Sequence, residues 1–188
     1  AMAAAGMLDD SLWVVTSDHG QGLGAHDWYG HSKQIYNAQL WVPLVFWWGG
    51  GAVPPRTVTD QIVEHVDLLP TLADMVGFEV DQIMPIQGRS LVPHITGARV
   101  RNPRWFAFAE RSRYVDAGPN TQERGNYAAG FRYSLQDLEF KCLLFTEGDD
   151  EFYDLRADPH ETRNLIDDPE FADRREQLLD VLLEMIET

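Results

Sequence analysis

Hydrophobic and polar positions follow two different rhythms along this chain. SLWVVTS (11–17) and PLVFWW (43–48) are short apolar runs with no polar face, the pattern of strands buried between helices. The Ala-rich residues 1–9 predict the tail of a helix, and QIYNAQLW (34–41) a short helix between the two runs. GGGAVPP (49–55) ends the second run, and VTDQIVEHVD (58–67) leads into a helix over LLPTLADMVG (68–77). Asp67 stands at that helix's cap, Pro70 in its first turn and Gly77 at its stop. GRSLVPHITG (88–97) reads as a short helical or looped piece.

The rhythm changes near residue 100. RWFAFAERS (104–112), NYAAGFRYSL (126–135) and EFKCLLFTEG (139–148) predict strands joined by hairpin-type connections into a small antiparallel sheet. FADRREQLLDVLLEMIE (171–187) sets apolar residues at 171, 178, 179, 182, 183 and 186, one stripe of an amphipathic helix. The expected class is α/β. Residues 1–100 carry buried strands with helices, and residues 101–188 a small antiparallel-sheet subdomain with a terminal helix.

Charge and composition narrow the function classes. Thirty acidic against fifteen basic residues give a net charge of −15, which argues against a nucleic-acid backbone as partner. The longest near-continuous apolar stretch, WVPLVFWW (41–48), is too short to span a bilayer and is interrupted by Pro43. AMAAAGMLDD lacks the basic flank and long apolar core of a secretion signal; the compartment stays open, because a leader would precede residue 1. The single cysteine, Cys142 in FKCLLF, excludes an internal disulfide and reads as a buried thiol.

Candidate chemistry collects in TSDHGQGLGAHDWYGHSK (16–33), which holds three of the six histidines. In open α/β sheets functional groups gather in loops beyond strand ends, and Asp18 and His19 occupy that place after the 11–17 run. A carboxylate and an imidazole on a tight glycine-flanked loop can converge on one divalent ion once other segments complete the shell. His31 and Lys33 follow a loop long enough to fold back and hold an anionic ester. By themselves the same residues also suit bland roles: Asp18 and His19 satisfying backbone, His26 as a structural histidine, Lys33 as a solvated surface lysine.

TSDHGQGLGAH followed by YGHSKQIYNAQLWVPLVFW resembles the sulfatase family of the alkaline-phosphatase superfamily, with its TSDHGE-x-LG-x-H…GK…Y-x-E…R-VPL block. VEHVDLLPTLADMVG, GRSLVPHITG and EFYDLRADPHETRNLIDDPE resemble three further blocks of that family, in the same order. The resemblance implies the C-terminal part of an alkaline-phosphatase-like sulfatase fold, and a hydrolase of small sulfate esters. It also implies one bound divalent metal, Ca2+ by family, with Mn2+ or Mg2+ as alternatives. Asp18 and His19 match metal ligands, although many relatives have Asn in place of the histidine. His31 matches the substrate-contacting lysine of GK, with Lys33 as second choice, and His26 the supporting histidine of LG-x-H. Gln21 and Asn37–Ala38 depart from the family's glutamates, which puts loop details in question.

No C/S-x-P-x-R motif occurs in residues 1–188, so the formylglycine nucleophile and the other acidic ligands are expected on a missing N-terminal half of the same protein. A phosphodiesterase or phosphonate monoester hydrolase of the same superfamily is the alternative. So is an inactive fragment that self-associates, as a homo-oligomer, through its uncovered apolar strands. Arg89 is expected to tie loops together, and Glu161 and Arg163 to fasten the last helix. His94 and His160 belong to no constellation, and YVDAGPNTQERGN (114–126) is the loop suspected of touching a leaving group.

Overall fold

The computed structural model describes residues 4, 6–8, 10–31, 33–50, 53–54, 58–80, 85–112 and 130–187. In chain order its elements are β1 (Leu12–Thr16), β2 (Gly22–Leu23), β3 (Tyr29–Gly30), α1 (Asn37–Leu40), β4 (Leu44–Trp48), α2 (Leu68–Val76) and α3 (Val92–Thr96). There follow β5 (Ala107–Arg111), β6 (Arg132–Gln136), β7 (Phe140–Phe145), β8 (Glu151–Asp154) and α4 (Ala172–Glu187). Most of the helix expected over 1–9, and the whole loop 114–126, lie outside the described residues. The chain forms two compact units, residues 1–16 with 43–105 and residues 17–42 with 106–188. Segment 17–42 packs with residues 106–188.

In the first unit β1 and β4 pair antiparallel, Leu12 opposite Trp48 and Thr16 opposite Leu44. Their sequence predicts cover on both faces, and this is not what the described residues provide: Val15, Val45 and Trp47 are 54%, 53% and 43% exposed. Apolar patterning marks a surface fit for burial without supplying the layer that buries it. Trp13 and Trp47, opposite one another in the ladder, meet edge to face at 6.5 Å.

Helix α2 ends as expected, on a left-handed Gly77. Gly77 N–H bonds to the Asp74 carbonyl and Phe78 N–H to that of Ala73, a Schellman closure. Its start differs from expectation. Asp67 makes no side-chain cap to α2. The buried carboxylate instead accepts from the Glu64 amide (2.9 Å), the Arg89 amide (2.8 Å) and the Arg104 guanidinium (2.5 Å). Arg104 reaches Glu64 as well, and Arg89 donates to the Asn102 carbonyl at 3.0 Å. A capping residue with one local and two distant donors around it becomes a knot between segments.

The second unit is built on an antiparallel meander, β5–β6–β7–β8. Its fourth strand adds to the three that the sequence predicted. Strand alternation sends Leu135, Cys142 and Phe152 to one face, where they pack with Leu165 and with Leu178 and Leu182 of α4. Leu143 and Tyr153 go to the other face, against Ile35 and Tyr36. The sheet is therefore covered on both sides, by α4 and by the segment leading into α1. Helix α4 is fastened by Arg175 to the Ile166 carbonyl and by Arg174 to Asp137, with the Arg174 guanidinium 5.6 Å from the Phe140 ring. Glu161, expected to secure this helix, does not: its carboxylate turns to Lys141 and Asn37. Arg163 reaches Asp168, which caps the turn before α4.

Candidate functional site

The loop after β1 folds through local hydrogen bonds. Ser17 hydroxyl donates to the His19 carbonyl (2.7 Å), and the His19 amide donates to Asp18 Oδ1 (3.0 Å). That amide, with the neighbouring imidazole next, holds the Asp18 carboxyl below the usual carboxylate range while its side chain stays 84% exposed. His19 Nδ1 lies 2.7 Å from the Gly20 carbonyl oxygen. A carbonyl only accepts, so Nδ1 carries the hydrogen of that bond, and Nε2 is the nitrogen that holds a lone pair whenever the ring is neutral. Nε2 stands 3.6 Å from Asp18 Oδ2.

Gly20 sits where a side chain has no room. A Cβ there would come within 2.2 Å of the Ala38 carbonyl oxygen, and the Gly20 amide donates to the Gln39 carbonyl at 2.7 Å. The loop is thereby pressed onto α1. The imidazole of His31 stacks on that of His19, centroids 4.6 Å apart and planes 21° from parallel, with His31 Nδ1 3.2 Å from Gln21 Oε1. Asp18, His19 and His31, three residues singled out in the sequence, are thus neighbours.

His26 and Lys33 take other places. His26 adopts a left-handed backbone (φ 52°) and lays its ring on Tyr36 at 3.5 Å with the planes 3° apart. Tyr36 hydroxyl donates to the Glu151 carboxylate at 2.8 Å, as does Tyr153 at the same distance. Burial, then the Glu151 charge, pushes both phenols well above their ordinary range, so both remain donors. Lys33 carries its ammonium 5.2 Å from the centre of the Trp28 ring.

Behind the loop lies a polar network that the sequence reading did not find. Lys141 and Glu161 are fully buried, and Lys141 Nζ donates to Glu161 Oε1 at 2.6 Å and to Asn37 Oδ1 at 3.1 Å. Glu161 Oε2 accepts the Asn37 amide at 2.6 Å. Burial pulls the Lys141 ammonium below its ordinary pKa while the Glu161 charge opposes that pull. The available signal was a lone lysine inside the apolar run FKCLLF.

Among the described residues no group of three or more His, Cys, Asp or Glu side chains could hold a metal ion. Asp18 and His19 offer two donors, a carboxylate oxygen and an imidazole nitrogen, of the types that divalent cations take. Oxygen and nitrogen ligands about 2.3–2.6 Å from a Ca2+ ion and roughly at right angles to one another stand about 3.3–3.7 Å apart. That range includes the 3.6 Å between Asp18 Oδ2 and His19 Nε2, the nitrogen that the Gly20 carbonyl leaves unengaged. A mixed oxygen and nitrogen pair suits Mn2+ or Mg2+ and can enter a Ca2+ shell. Neither side chain of the pair is shut away from the solvent through which further ligands would arrive.

Residues 24–188 match the model of the C-terminal family of N-sulphoglucosamine sulphohydrolase. The uncharacterized sulfatase YidJ of Escherichia coli is 32% identical over 179 residues, 95% of this chain and 33% of that protein. Among solved structures, one in complex with its substrate D-glucosamine-2-N,6-O-disulfate superposes with a TM-score of 0.83 at 27% identity, over 99% of this chain and 36% of that one. The phosphonate monoester hydrolase of Agrobacterium radiobacter superposes with a TM-score of 0.80 at 28% identity, over 99% and 37%. The chain spans about a third of the length of the curated relatives it matches.

Proposed function

Since the chain belongs to the sulfatase family of the alkaline-phosphatase superfamily, we propose that it supplies two metal ligands and an anion contact to a sulfate-ester hydrolase site. Asp18 and His19 would hold a divalent cation, with Ca2+ the family's expectation and Mn2+ or Mg2+ compatible with the donors. Such an ion supplies charge stabilisation to the oxygens of the ester. His31, stacked on His19, would hold an ester oxygen by hydrogen bonding, with Lys33 as an additional cationic contact and His26 supporting the loop through Tyr36. The formylglycine nucleophile and the remaining acidic ligands would come from sequence outside these residues. The single observation that carries the reading is the 3.6 Å gap between Asp18 Oδ2 and a His19 Nε2 whose hydrogen is held at the opposite nitrogen. The relative solved with a sulfated glucosamine supports sulfate as the oxyanion.

The test is Asp18→Ala in the complete protein, assayed on nitrophenyl sulfate. A loss of at least about 10²-fold in kcat/KM is expected; parental activity would remove Asp18 from the reaction. The superposition on a phosphonate monoester hydrolase favours a second reading, hydrolysis of phosphonate or phosphate diesters at the same residues. A parallel panel of nitrophenyl sulfate and phosphonate esters decides between them by the larger kcat/KM. With two donors only, the 188-residue chain by itself is expected to bind metal weakly and to turn over no ester. Its open strand faces at Val15, Val45 and Trp47 would then favour self-association, visible on size-exclusion chromatography.

A further inference from the structure

Helix α1 has four residues, far too few to hold its shape by its own hydrogen bonds. Yet the Asp18–His19 loop rests on it, through the Gly20 amide on the Gln39 carbonyl and the close seat of Gly20 against Ala38. Whatever fixes α1 fixes the loop. Asn37, its first residue, is gripped twice: Glu161 Oε2 takes its amide and Lys141 Nζ donates to its side-chain oxygen. Tyr36, one residue earlier, is held by Glu151 and in turn carries His26.

The Lys141–Glu161 pair is poorly explained as a stabilising device. Buried ion pairs can often be replaced by apolar residues without loss, since the desolvation of both charges offsets their attraction. Glu161 moreover holds a left-handed backbone (φ 56°), which a residue with a side chain adopts at a cost. Both features make sense if the carboxylate is kept for what it reaches. One oxygen neutralises Lys141 and the other is spent on Asn37.

We infer that Glu161 is a positioning residue for the Asp18–His19 pair, acting through the Asn37 amide and the Gly20 seat, with Lys141 as the counter-ion that lets its carboxylate be buried. They touch neither ester nor metal, and their effect is on where the two ligands stand. The inference rests on the metal reading above and extends it to residues that lie outside the candidate site.

The test compares two double variants of the complete protein, titrated with Mn2+ and read by electron paramagnetic resonance of the free ion. Lys141→Met/Glu161→Gln removes both charges but keeps an acceptor for the Asn37 amide. Lys141→Met/Glu161→Leu removes the charges and the acceptor. The first is expected within about threefold of the parent's Mn2+ affinity and the second weaker by about tenfold or more, while their melting temperatures stay alike. Equal affinities in the two, or affinities that merely follow melting temperature, overturn the inference. Should the Leu variant fail to fold, Asn37→Ala takes its place, and parental Mn2+ affinity there is equally fatal. Asp18→Ala separates the two levels. If it binds Mn2+ as the parent does, the metal reading falls and takes this inference with it. If Asp18→Ala loses the ion while both double variants keep it, the metal reading stands and the positioning role alone is gone.

Discussion

At Gly20 an added methyl group would stand 2.2 Å from the Ala38 carbonyl oxygen, so Gly20→Ala must push the loop off α1. Such overpacking costs about 1–3 kcal/mol. A drop of that size in urea unfolding, together with weaker Mn2+ binding, is the expected result; a variant as stable as the parent would mean that the loop has slack. Cys142 represents the opposite case, a residue with chemistry that burial silences. Its thiol is fully buried and pushed up to about 12, chiefly by loss of solvent. Since the thiolate is the reactive form, Cys142 should resist iodoacetamide at pH 8 in the native protein and react once denaturant is added. Peptide mapping after the reaction distinguishes the two. The buried character of Cys142 was readable from its apolar neighbours. The partners of Lys141 were not, because they lie 20 and 104 residues away along the chain.

Helix α4 shows what local patterning can reveal. Its apolar stripe predicts a helix over 171–187, and the helix found spans Ala172–Glu187 with Leu178 and Leu182 buried against the sheet. The spacing of those leucines follows from helix geometry alone, which is why no knowledge of the partner was needed. Leu182→Ala should cost about 2–5 kcal/mol in chemical denaturation and leave Mn2+ affinity unchanged. An affinity loss would tie the helix to the site across the sheet. Strand β8 was harder to see. EFYD is four residues with charged ends, and it becomes a strand by pairing with β7 rather than by any rhythm of its own. Asp67 fell between these cases: its place before α2 was legible, but its use was decided by Arg89 and Arg104 from elsewhere. In the loop after β1 the sequence singled out Asp18, His19 and His31, while the stacking of the two imidazoles and the support beneath the loop come from the fold.

Across the whole molecule the alkaline limb of stability has a definite sign. The native state keeps protons on Cys142, Tyr36 and Tyr153 that the unfolded chain releases earlier, because burial and, for the tyrosines, Glu151 raise all three. Raised folded pKa values mean that the contribution is fully present below about pH 9 and fades as pH climbs towards 12. Melting temperature should therefore fall across that interval, with a shallower fall in Cys142→Ala; parallel curves would remove Cys142 as a contributor. No helix among the described residues is long and apolar enough to cross a membrane. The superpositions give the chain its place in an alkaline-phosphatase-like fold.

The second unit draws residues 17–42 and 106–188 into one body. During synthesis the Asp18–His19 loop leaves the ribosome long before Lys141 and Glu161 exist to seat it. Its shape must wait for the tail. A premature stop after residue 150 would then leave that loop fully translated and without the Glu161 carboxylate that holds the Asn37 amide beneath it.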